Sequence, residues 1–71
     1  MQAELTERLG SSFPDAQVNV QVDGNRALIT VVSDQFEGLS RVKKQQAVYA
    51  CIEDYIADGR LHAVTIKAET P

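Results

Sequence analysis

The chain of 71 residues contains one cysteine, Cys51, and one histidine, His62. Structural zinc takes about four Cys or His ligands and an iron–sulfur cluster also takes four, so this chain alone can complete neither site. Nucleophilic catalysis has no support either, because Ser11, Ser12 and Ser40 have no His or Asp at a triad-like spacing. Gly24, Gly38 and Gly59 stand singly, each with a turn or a cap to explain it, and do not form a phosphate-binding run. Two Phe, two Tyr and no Trp leave little core from which to carve a substrate pocket. These limits favour a binding or adaptor module, and no enzymatic activity is expected.

A different chemistry is offered by Arg41, Lys43 and Lys44. Ser40 is a good N-cap, so all three cations fall in the first turn or so of a helix. The macrodipole opposes positive charge there by about 0.3–1 kcal/mol each at exposed sites. The chain as a whole carries a net charge of −3, so the cluster is a local patch. It reads either as a docking surface for an anionic partner, a phosphate backbone or an acidic protein face, or as a solvated helix end offset by Glu37. Phe36 and Gly38, just before it, join the candidate surface. Phe36 is open to two readings, a plug over the core or a stacking platform.

The elements that must position these residues follow from the periodicity. Leu5 and Leu9 predict a short amphipathic helix over Gln2–Leu9, stopped by Gly10-Ser11-Ser12 and Pro14. Val18, Val20 and Val22 alternate with Gln17, Asn19 and Gln21, which predicts a strand with one wet face over Ala16–Val22. Asp23-Gly24-Asn25 predicts a hairpin, because Gly24 and Asn25 tolerate the positive φ that primed turns require, with Arg26 a turn-flanking charge. The return strand, Ala27–Ser33, is almost wholly apolar and is expected to be buried on both faces or central. After a loop over Asp34–Gly38, a single helix is predicted over Arg41–Asp58, with Gly59 as its C′ residue. A third strand is predicted over Leu61–Ala68, with His62, Val64, Ile66 and Ala68 on one side.

The predicted order is α-β-β-α-β: an α+β fold in which two helices cover one face of a three-stranded mixed sheet, with a right-handed β-α-β crossover if the last two strands pair in parallel. On this reading Cys51 lies in the helix's apolar stripe as a small buried hydrophobe. His62 reads as an imidazole at the rim of the core or as a ligand. About seven residues, or about 10 Å of helical rise, separate Cys51 from the helix end near His62, so co-ligation by the two is not expected.

The chain is expected to be one domain, 1–71, with no membrane association. Met1-Gln2-Ala3-Glu4-Leu5 lacks the basic-then-apolar order of a signal peptide, and a lone Cys suits a reducing compartment, so a cytoplasmic location is expected.

The stretch from Phe36 to Tyr49, the segment Leu61-His62-Ala63-Val64-Thr65-Ile66-Lys67-Ala68 and the closing Thr70-Pro71 resemble the BolA family. Within it, Tyr55-Ile56-Ala57-Asp58 and Arg60 correspond to the IbaG (YrbA) branch. The resemblance implies a type II KH-like fold and a place in iron–sulfur metabolism, in which the protein pairs with a monothiol glutaredoxin across a bridging [2Fe-2S] cluster. Carried over to this sequence, the cluster ligand is His62, and the remaining ligands come from the partner's thiolate and glutathione. The isolated chain would then be apo and a monomer or weak homodimer. Family members are also described as DNA-binding regulators of morphology and stress response, acting through the helix that begins here at Arg41. For that alternative the GXXG clamp of KH modules is missing from Gly38-Leu39-Ser40-Arg41.

One position departs from the family pattern. Many relatives carry a His or Cys in the loop between the first two strands, where this chain has Arg26. Arginine stays cationic and does not ligate iron. The departure leaves three outcomes open: a cluster with one ligand from this side, a more labile cluster, or an apo complex held by surface contacts.

Overall fold

The computed structural model describes Met1–Pro71. Its elements are α1 (Gln2–Ser12), β1 (Gln17–Asp23), β2 (Arg26–Val32), a 3-10 turn at Asp34–Phe36, α2 (Arg41–Tyr49), α3 (Glu53–Ala57) and β3 (Ala63–Glu69). The sheet order is β1-β2-β3. β1 and β2 are antiparallel, and β2 and β3 are parallel with Arg26 beside Ala63 and Val32 beside Glu69. The mixed sheet with a central second strand is the arrangement expected from the apolar run at Ala27–Ser33. Both-face burial of that run does not occur: Ala27, Ile29 and Val31 are buried while Leu28 is 37% exposed. The helices line only one side of the sheet, so alternate residues of β2 meet water.

The valine alternation in β1 works as the pattern demands, with Val20 buried and Val18 and Val22 packed against the core. In the β1–β2 hairpin only Gly24 takes a positive φ, +61°, and Asn25 does not. Positive φ at the first loop position alone is the II′ pattern, which leaves Asn25 in an ordinary conformation. α1 runs three residues beyond Leu9, because the Phe13 N–H donates to the Leu9 carbonyl at 2.8 Å and the buried Phe13 ring packs against Phe36 at 5.2 Å between centroids.

The single helix expected over Arg41–Asp58 is two. After Tyr49 the chain turns through Ala50–Ile52 before α3 begins. The Tyr55 N–H donates to the Ile52 carbonyl three residues back, and the Cys51 carbonyl that an unbroken α-helix would offer it accepts from Arg8 Nη1 at 3.3 Å. The ladder has left the α pattern before that point, since the Cys51 and Ile52 N–H groups donate three residues back to the Val48 and Tyr49 carbonyls, and Arg8 of α1 holds the carbonyl inside the break. Val48, Ile52 and Tyr55 are all fully buried across the break, in one cluster with Leu5, Leu9, Ile29 and Val31.

Candidate functional site

β3 begins at Ala63, one residue later than His62 and two later than the Leu61 expected to open it. Leu61 is buried and its N–H donates to the Tyr55 carbonyl at 3.0 Å. The His62 N–H donates to the Asn25 carbonyl at 2.8 Å, an acceptor shared with the Ala63 N–H at 3.3 Å. The backbone is therefore held on both sides of His62, by α3 and by the β1–β2 turn. The imidazole itself is exposed, not half-buried at the core rim as the strand phase predicted. Its Nε2 lies 4.0 Å from the point a Cβ on Gly59 would occupy. Gly59 has φ +84°, the left-handed conformation expected of a C′ residue.

Arg26 opens β2 beside Ala63, so it lies at the same end of the sheet as His62. Arg26 is exposed and makes no ion pair. Cys51 is on a different surface. It is half-buried, its Sγ donates to the Ala47 carbonyl at 3.6 Å, and it lines a depression with Glu4, Glu7, Arg8, Ser11 and Ser12 of α1. No three His, Cys, Asp or Glu side chains converge anywhere in the fold.

The basic start of α2 forms as predicted: Ser40 caps it by accepting from the Lys43 N–H at 3.2 Å. Arg41 and Lys44 line a groove with Ile66, Lys67, Ala68 and Glu69, at the far end of β3 from His62. Five residues of strand separate Ala63 from Ala68, or about 16 Å at the usual rise. The two features expected to serve one partner thus mark opposite ends of one strand. Of seven Lys and Arg residues, Arg8 and Arg60 are ion-paired, which leaves Arg26, Arg41, Lys43, Lys44 and Lys67 unpaired. All but Arg26 lie on α2 or near the end of β3.

Phe36 leaves the list of docking residues. It is fully exposed to no solvent, at 0%, and its ring packs on Phe13 inside the core. The same segment reaches the surface through Gly38, at φ +82°, and Leu39, at 36% exposure.

Sequence reasoning missed a cluster around Tyr55. This ring is buried; the guanidinium carbons of Arg8 and Arg60 sit over it at 4.7 and 3.8 Å from its centroid. The Tyr55 hydroxyl donates to Glu4 Oε2 at 2.8 Å. Arg8 reaches Asp54 at 2.6 Å, while Arg60 lies 3.7 Å from Asp54 and 2.7 Å from Asp58. The hydrogen bond from Arg8 holds the Asp54 carboxyl below its ordinary value, and the bond to Glu4, with burial, pushes the Tyr55 hydroxyl up. The cluster ties α1 to α3 and to Arg60, two residues before His62. Its only signal in the sequence was the pair Tyr55 and Arg60; Arg8 and Glu4 are too distant along the chain to have been connected with them.

Residues 16–71 match the family model described as BolA-like protein. The chain is 53% identical over 68 residues to the acid stress protein IbaG of Escherichia coli K12, covering 96% of this chain and 81% of that one. It is 49% identical over 67 residues to an uncharacterised protein of the rpoN-murA intergenic region in Acinetobacter guillouiae, covering 94% and 81%. Among solved structures, BolA1 from Arabidopsis thaliana superposes with a TM-score of 0.87 at 25% identity, covering 99% of this chain and 90% of that one. The BolA domain of SufE1 from the same plant does so with a TM-score of 0.86 at 26% identity, covering 99% and 91%.

Proposed function

Because this chain belongs to the BolA-like family, we propose that it is an adaptor in iron–sulfur cluster assembly or trafficking, pairing with a monothiol glutaredoxin across a shared [2Fe-2S] cluster to which His62 is the ligand from this side. The observation that carries the reading is the mounting of His62. Its backbone is fixed by Asn25 and, one residue earlier, by Tyr55, while its imidazole is free of ion pairs and open to a partner. An exposed imidazole on a fixed backbone suits a ligand that completes a site built mainly by another protein, since little ordering remains to be done on binding. With His62 the chain's one imidazole and Cys51 lining a different surface, this chain supplies one ligand and the cluster is cargo shared with the partner. Arg26, at the same end of the sheet, supplies positive charge and no ligand.

Co-expression with a monothiol glutaredoxin tests the reading. The purified pair is expected to be brown, with visible absorption and circular dichroism that differ from those of the glutaredoxin alone. His62→Ala should abolish the difference. An unchanged spectrum and unchanged cluster lifetime in that variant would rule out the ligand role.

The four unpaired cations at the α2 start and the end of β3 favour one second reading, a DNA-binding regulator. Three phosphate contacts from Arg41, Lys43 and Lys44 would give a salt slope of at most about −2.7 on duplex DNA. Binding that is undetectable at low salt, or indifferent to salt, would remove this reading.

A further inference from the structure

We propose that the outer edge of β3 receives an extended, acidic and apolar peptide segment of a partner protein as a fourth strand. The two edges of this sheet are treated differently. On β1 the Val22 N–H is already engaged by Gln2 Oε1 at 3.1 Å, so a side chain from α1 blunts that edge. On β3 no side chain bonds to the outer edge. The Glu69 carbonyl accepts from the Ser33 N–H at 2.9 Å, so Glu69 turns its backbone inward to the β2 side. By alternation, Ala68, Ile66 and Val64 turn theirs outward, three residues spaced as an added strand requires.

What flanks that edge defines the occupant. Beside it runs a groove walled by Val42, Tyr49 and Ile66, with Val42 63% and Tyr49 38% exposed. Exposure of this kind leaves apolar surface for alternate side chains of an incoming strand. The groove continues to Arg41, Lys44 and Lys67, none of which has an ion-pair partner. An incoming segment with apolar residues toward Ile66 and acids toward the Ala68 end matches both halves. A nucleic acid matches less well, because Glu53 and Glu69 stand on the groove's rim and outward amides pair with a peptide backbone better than with phosphates. A second copy of this chain would bring a strand bearing Lys67 and a single acid, Glu69. The proposal needs neither a cluster nor His62, so it stands or falls apart from the proposed function.

The test is a titration of the full, isotopically labelled chain followed through its backbone amide resonances. The probe is a capped hexapeptide with valine in one half and aspartate in the other, made in both orders, with controls in which lysine replaces each aspartate. Expected are shifts and slowed amide exchange at Val64, Ile66 and Ala68 with the acidic probe, and none with the basic one. Ala68→Pro should weaken binding at least tenfold, since it removes an outward N–H and leaves the β2 ladder intact. K44E, on the helix, should weaken binding several-fold while the spectrum stays that of the native fold. Equal binding of both probes, shifts confined to the α1 and Cys51 surface, or no shift at millimolar probe would overturn the proposal. So would concentration-dependent dimerisation through Ile66 without peptide, or tighter binding of a single-stranded oligonucleotide to the same amides.

Discussion

The Asn25 carbonyl accepts the His62 N–H at 2.8 Å, so the turn that reverses β1 into β2 also fixes the entry to β3. Parallel pairing of β2 with β3 makes this possible, because it brings the start of both strands to one end of the sheet. A residue whose side chain is exposed thereby acquires a fixed backbone. Gly59, across from the imidazole, is a second constraint at the same place.

Gly59→Ala should lower stability by about 1–2 kcal/mol, the cost of placing a Cβ in the left-handed region. The added carbon would stand 4.0 Å from His62 Nε2, an ordinary contact, so the cost is conformational and not steric. Urea denaturation gives the first number. The ring-proton resonances of His62 should move as well, and a variant as stable as the parent would contradict the assigned backbone conformation.

Phe36→Ala should cost about 3–5 kcal/mol, a large share of the stability of so small a domain, because the ring fills the core against Phe13. Leu39→Ala, three residues on and partly exposed, should cost far less. Comparison of the two midpoints in urea separates them. If Phe36→Ala left stability intact and only weakened partner binding, the core assignment would be wrong.

Lys43→Glu should act in opposite senses on stability and on docking. It replaces a cation in the first turn of α2 with an acid, which favours the helix by about 0.3–1 kcal/mol. Binding of any anionic partner to this surface should weaken. Ser40→Ala, by contrast, removes the cap on the Lys43 N–H and should cost about 1 kcal/mol. Thermal melts of both variants, beside a binding assay at two salt concentrations, check the signs.

Asp54 links stability to pH. Its carboxyl is held below the ordinary value by the hydrogen bond from Arg8, so the folded state favours the ionised form. That contribution is fully present above the unfolded value, near pH 4, and is lost as pH falls through the lower folded value. Asp54→Asn should therefore melt below the parent at pH 6, with the gap closing as acid is added below about pH 4. A gap that widened in acid would reverse the sign assigned to this pair.

Much of the fold was legible in local pattern. The valines of β1, the Asp-Gly turn, the apolar run of β2, Ser40 as cap and Gly59 as C′ residue each rest on interactions within a few positions along the chain, and each stands in the structure as its pattern predicts. The break after Tyr49 was not legible, because no Gly or Pro marks it and Arg8, which holds the Cys51 carbonyl inside it, lies 43 residues away. Likewise, the meeting of Glu4, Arg8 and Arg60 around Tyr55 depends on how α1 packs on α3.

The candidate site divides the same way. Residue types alone determined that this chain holds one imidazole and one thiol, too few to build a structural zinc or iron–sulfur site unaided, and that an acidic chain carries a basic helix start. Only the tertiary structure decided that Arg26 joins His62 at one end of the sheet, that Arg41 and Lys44 lie at the other, that Phe36 is core and that the β3 edge is left open. Composition and periodicity report short-range physics: which side chains exist, and which face of a helix or strand they share. Which elements then meet is set by strand order and by packing between residues far apart in the chain, and that decides what a partner finds on the surface.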